Sequence, residues 1–133
     1  MTYINVNTYI IAHLASYPAI TALAGARIWQ GEQPTGNYTP ADGAAITFQF
    51  VGGIIDFNDA LQLPLLIVDC WASTPLASYQ LYLQVLEALD CKSSAYLQHS
   101  IVETLGETVR HPDTGWPFTT SSYRVWILKE TEA

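Results

Sequence analysis

Apolar and polar positions along the chain recur with two different periods. Near the start, Val6, Ile10, Ile11, Leu14 and Tyr17 lie three or four apart, the spacing of one helical face. Asn5 or Asn7 suits the cap of such a helix, because a short polar side chain accepts the free amide hydrogens of the first turn. Pro18 interrupts the pattern, and a second helical turn over 19–24 closes at Gly25. Ile28 and Trp29 read as a brief strand. Residues 31–43 carry two prolines among turn-forming residues, so they read as loop.

From Ala45 the period changes to two. Ile46, Phe48 and Phe50 are separated by Thr47 and Gln49, the alternation of a half-buried strand over 45–51. Gly52 and Gly53 end it, and 54–63 reads as an irregular excursion. Residues 65–72 form the strongest strand, with Leu66, Val68, Cys70 and Ala72 on one wholly apolar face. Thr74 followed by Pro75 is a helix start, since the hydroxyl caps the first turn and proline gives up no needed donor there. That helix runs to about Asp90, and its stripe reads as Leu76, Tyr79, Leu83, Leu86 and Leu89, widened by Tyr82 and Val85. Beyond a polar stretch at 92–94, residues 101–110 read as a strand interrupted by Gly106, and 123–129 as the last strand. This order predicts an α+β fold in a single domain over 1–133. Its sheet is mostly antiparallel or mixed, of about four to five strands, with the long helix and the N-terminal helix on one face.

Composition sharpens the picture at the surface. Half of the residues are hydrophobic and 13% are charged, well below the level usual for a soluble domain. Disorder is excluded, and part of the surface is expected to be covered by another molecule. Five Lys and Arg stand against twelve Asp and Glu, a net charge of −7. No dense basic footprint for gripping phosphates exists, so nucleic acid is expected to pass without specific binding. No apolar run approaches the ~18 residues of a membrane span. The opening residues hold no cation before Arg27, so no signal peptide is expected and folding in a cytoplasm is. Cys70 and Cys91 make no disulfide framework, and Cys70 reads as a small buried hydrophobe.

Candidate chemistry is sparse. Asp113-Thr114-Gly115 matches the tripeptide of aspartic proteases, but Pro112 before it and Trp116-Pro117 after it are turn chemistry. His13, His99 and His111 are dispersed, with no pair at the spacing that aims two ligands at one ion. Asp69 is a carboxylate inside an apolar strand. It is either solvated, facing a lumen or an interface, or buried with Arg27 or Arg124 as partner. No phosphate-cradling, dinucleotide, nucleophile-elbow or zinc-protease spacing occurs, so no enzyme activity, cofactor or metal is expected. Trp29, Phe57, Trp116 and Phe118 stand in or beside loops, as anchors for another protein or as lids on a small core. The loops 31–43 and 53–63 add Tyr38, Ile54 and Ile55, apolar side chains that a monomer is expected to leave partly wet.

Three segments together resemble the tail-completion family of tailed bacteriophages, which includes tail terminators and tail-to-head joining proteins. They are YPAITALAGARIWQGEQP at 17–34, LPLLIVDCWASTPLASYQLYLQVLEAL at 63–89 and SYRVWILKE at 122–130. The loop HPDTGWPF at 111–118 departs from the pattern. The resemblance implies a hexameric ring in the virion that caps the tail tube protein and joins it to the head connector or head-closure protein. Genomic DNA would pass through it, and no membrane is involved. Head closure or another neck adaptor is the alternative within the same region. A small enzyme or ligand-binding α+β domain, with Asp69 or Asp113 in a pocket, is the alternative of another class.

Overall fold

The computed structural model describes residues 2–3, 5–52, 61–92, 97–128 and 130–131. A two-residue strand β1 (Thr2–Tyr3) leads into α1 (Val6–Ala15) and α2 (Pro18–Ala24). Asn5 caps α1 by accepting from the Thr8 amide at 3.3 Å. Pro18 does more than interrupt: its fixed φ opens α2, which Gly25 ends at φ 56°. There follow β2 (Ile28–Gln30), a short 3-10 turn (Pro40–Asp42), β3 (Ala45–Val51), β4 (Leu61–Gln62) and β5 (Leu65–Trp71). The chain then forms α3 (Pro75–Leu89), β6 (Leu97–Arg110), β7 (Pro117–Leu128) and β8 (Glu130–Thr131). Thr74 caps α3 by accepting from the Ala77 amide at 3.1 Å.

The main sheet runs β2-β3-β5-β7-β6, parallel between β2 and β3 and antiparallel elsewhere. β4 continues β5 along the same edge of β7: Leu61 pairs with Leu128, Gln62 with Ile127 and Leu65 with Arg124, one unbroken register. Pro64, which has no amide hydrogen, breaks that line, and its carbonyl still accepts from Val125 at 3.3 Å. β1 and β8 pair as a separate antiparallel ribbon. The result is the expected α+β architecture with a mixed sheet.

All three helices lie on one face. Ile10, Leu14, Ile20, Leu81, Val85 and Leu89 share one buried cluster with Ile46, Phe48, Leu66, Val68, Cys70, Tyr123 and Val125 of the sheet. From Leu65 to Cys70 and from Pro117 to Ile127 every second residue is buried under the helices and those between are half-buried, whereas Trp71 at the end of β5 is buried although it is in phase with the other face.

Three expectations need correction. The α3 stripe is rotated: Ser78, Leu81, Tyr82, Val85, Ala88 and Leu89 are buried, whereas Leu76 is 68% and Leu83 42% exposed and Leu86 sits at the margin. Apolar residues almost encircle this helix, so spacing alone admits two phases. β6 starts earlier than expected, at Leu97, and runs continuously past Gly106. It does so with shifts in register between Val102 and Thr104 and between Thr104 and Glu107, which add residues to β6 and bend it. A methyl group on Gly106 would come within 2.7 Å of the Tyr82 ring, so glycine lets the strand pass beneath α3. β7 also starts earlier, at Pro117 and not at Tyr123. Its Thr and Ser residues suggest loop, yet hydroxyls here find partners on neighbouring elements and within β7: Thr119 bonds Ser78 at 3.0 Å and Thr108 at 2.8 Å, and Ser121 donates to the Tyr123 hydroxyl at 2.9 Å.

The rotated stripe has a measurable consequence. Leu81→Ala is expected to cost about 2–5 kcal/mol of unfolding free energy, by lost transfer energy and a cavity. Leu83→Ala is expected to cost less than about 0.5 kcal/mol, as an exposed position. Urea denaturation of both variants decides the phase; equal losses would contradict it.

Candidate functional site

The second face of the sheet carries no helix among the described residues. Strand pairing arranges its side chains in rows: Trp29, Thr47, Asp69, Thr120 and Glu107 cross the sheet in one, and Gln49, Ile67, Ser122 and Thr104 in the next. Leu65, Arg124 and Ile101 follow, then Trp126 and His99, whose rings lie 5.4 Å apart. A shallow recess of about 200 Å³ opens here, lined mainly by Leu65, Ile67, Thr104, Leu105, Glu107 and Thr120. Leu105, 65% exposed, stands at its rim.

One end of this face is closed by aromatics. Trp71 stacks on Phe118 with ring centres 4.5 Å apart and meets Trp116 edge-on at 6.3 Å. Tyr38 reaches in from the loop after β2, edge-on to Trp29 at 5.7 Å and to Trp116 at 5.8 Å. Its hydroxyl donates to the Gly43 carbonyl at 2.6 Å, and burial pushes its acidity further down. The Trp71 ring nitrogen donates to the Thr47 hydroxyl at 2.8 Å, so even the polar atom of this small core is satisfied.

Several sequence candidates are thereby relocated. Tyr38 is 8% exposed and so is not left wet in a monomer; it pins its own loop. Trp29, Trp116 and Phe118 gather around it half-buried, the lid arrangement within one chain. Ile54, Ile55 and Phe57 lie outside the described residues. His13 is buried, its ring nitrogen donating to the Ala88 carbonyl at 2.7 Å, and thus ties α1 to α3. His111 accepts from the Asp113 and Thr114 amides at 3.2 and 3.4 Å within an exposed turn, where Asp113 serves geometry. Cys70 is buried in the core, and burial raises its thiol pKa well above the ordinary value. Among the described residues no group of three or more His, Cys, Asp or Glu is placed to hold a metal ion, and no helix is long and apolar enough to cross a membrane.

Asp69 sits mid-sheet on the open face, and neither expected arginine reaches it. Arg27 donates to the carbonyls of Ala44 at 2.8 Å and Leu23 at 3.4 Å, packed against Gly43, where a side chain would collide with it. Arg124 pairs with Glu103 at 3.3 Å and donates to the Leu63 carbonyl at 3.1 Å. The Asp69 carboxyl keeps a hydrogen bond from Thr120, while its Oδ1 is buried and accepts none from a described residue. Burial raises its pKa above the ordinary 3.8; the Thr120 bond opposes this, and the negative charge of Glu32 adds to it. A second, wider concavity of about 610 Å³ beside the end of α3 is lined by Leu83, Gln84, Leu86, Glu87, Asp90 and Lys92. Sequence reading found Asp69 but missed Glu107, Thr120 and Leu105 around it, because the bends in β6 hide which of its residues share that face.

No protein-family model matches this chain, and no curated protein matches it in sequence. The fold itself is shared. A solved chain from the virion of a native gene transfer agent particle superposes with a TM-score of 0.68 at 11% identity, over 92% of this chain and 94% of that one.

The raised pKa of Asp69 sets a pH dependence. Below the ordinary value the carboxyl is protonated in both states and costs nothing; as pH rises, the unfolded chain ionises first and the folded state loses stability until its own pKa is passed. Asp69→Asn is therefore expected to stabilise the protein at about pH 7 and to make no difference at about pH 3. Urea midpoints at the two values test this, and an equal offset at both would refute it.

Proposed function

We propose that this chain is a structural protein of a phage-like virion, a subunit of a hexameric ring that ends the tail tube and joins it to the head connector. The observation that carries the reading is the match in fold, over nearly the full length of both chains, to a component of a gene transfer agent virion. The resemblance of 17–34, 63–89 and 122–130 to tail-completion proteins supplies the ring and its place at the head–tail junction. The physical character of the chain agrees: few charges and a sheet face that no described helix covers suit a subunit that is completed by neighbours. A net charge of −7 on each copy suits a passage that DNA crosses without adhering. The chain folds as one domain in the host cytoplasm and joins the particle there.

Head closure or another neck adaptor role draws on the same fold match and differs in location. The enzyme or ligand-binding reading has less behind it. Asp113 lies in an exposed turn, and Asp69 has a threonine hydroxyl beside it and no hydrogen bond from a histidine.

Removing the gene from a phage that encodes this chain is expected to yield filled heads and separate tails, visible by electron microscopy and restored by supplying the protein. Joined particles of normal tail length without it would overturn the proposal.

A further inference from the structure

We propose that the outer face of α3 docks a second copy of this chain, the two α3 helices packing antiparallel across a two-fold axis. The pairing goes beyond the ring reading and does not depend on it, because a two-fold contact uses one patch twice and closes at two.

α3 is apolar on two faces. Leu81, Val85, Ala88 and Leu89 bury one of them against the sheet, while Leu76, Tyr79 and Leu83 leave the other exposed. Half-buried Leu86 continues this outer line. A helix that needs a single core face turns polar residues outward, so a second apolar line calls for a second partner. Positions 76, 79, 83 and 86 step by three, four and three, the seam by which two helices interlock.

Reversed, this seam is complementary to itself. With the two-fold axis level with residue 81, Leu76 falls opposite Leu86 of the partner subunit and Tyr79 opposite Leu83 of the partner subunit. Each pairing then occurs twice. Shape agrees with that register. Leu76, 68% exposed, projects from one end of the helix, whereas Leu83 and Leu86 line the concavity of about 610 Å³ at the other. A projection and a recess at opposite ends of one helix are both filled, twice over, by an antiparallel pair.

Charge selects the same direction. Glu87 and Asp90 stand at the carbonyl end of α3, which is itself negative, and the last turn holds no basic residue. In the recess these two acids face a single lysine, Lys92. The amide end is the complement: the first turn holds no acid, and the Thr74 hydroxyl is its side-chain cap. An antiparallel partner brings that positive end beside Glu87 and Asp90 at both ends of the pair. A parallel partner would instead set the acids of the two copies against each other.

Sedimentation velocity over a concentration series tests the pairing on full-length wild type, Leu76→Glu, Leu83→Glu and Leu105→Glu. Wild type is expected to reach a dimer as its first oligomer. Either glutamate on α3 should weaken dimerisation about tenfold or more, because it places a charge in an apolar seam. Leu105→Glu, equally exposed but on the helix-free sheet face, should leave dimerisation unchanged. Near-ultraviolet circular dichroism is expected to stay native for all three. Disulfide trapping in a Cys91→Ser background reads the register without relying on those variants. Tyr79→Cys and Leu83→Cys proteins, mixed, should cross-link with each other faster than either does with itself. A wild type that stays monomeric throughout the series, dimerisation lost with Leu105→Glu and kept with Leu76→Glu, or equal cross-linking in every combination would overturn the pairing and leave the ring reading standing. A dimer trapped in this register by a chain absent from the head–tail junction would uphold the pairing and defeat the ring reading.

Discussion

Leu66, Val68 and Cys70 project from the central strand toward Leu81, Val85 and Leu89 of α3, and all of them are buried. Each large aliphatic side chain in that seam gains roughly 1.5–3 kcal/mol by leaving water, so the seam fixes where α3 lies. Once α3 covers β5, β6 and β7, the short helices α1 and α2 are left to close the same face over β2 and β3. No described helix remains for the other side. The half-buried state of Leu65, Ile67, Asp69, Ser122, Arg124 and Trp126 follows from that shortage, because strands alternate and the second set has no layer to enter.

Strand and helix order was legible in the sequence wherever a single period dominated. The alternation at 45–51 and 65–72 placed β3 and β5, and Thr74-Pro75 located the start of α3 to the residue. What failed did so for identifiable reasons. α3 is apolar on most of its circumference, so its phase is set by the tertiary seam and not by spacing. The polar run at 119–122 hides a strand because the Thr119 hydroxyl pairs with Ser78 of α3 and Thr108 of β6, a compensation visible only when α3 and β6 are in place. Of the site, Asp69 stood out as an acid in an apolar strand, but its neighbours on β6 depend on register shifts that no sequence period encodes. The loop aromatics were legible as a group, and their association around Trp71 needed the fold.

That aromatic cluster limits how the open face is used. Trp71, Phe118, Trp116 and Tyr38 seal the Trp29 end, and Tyr38 holds the 31–43 loop down with them. Away from that seal, charge and apolar surface lie together around Asp69, Ile67 and Leu105, and the Asp69 Oδ1 is buried without a hydrogen bond from a described residue.

The proposed role is to close a ring where a tail meets a head. Cryo-electron microscopy of intact particles tests it most directly, by locating the chain and counting its copies. About six copies are expected around the tail axis at the junction, between tube and connector. One or two copies, or a position away from that junction, would contradict it.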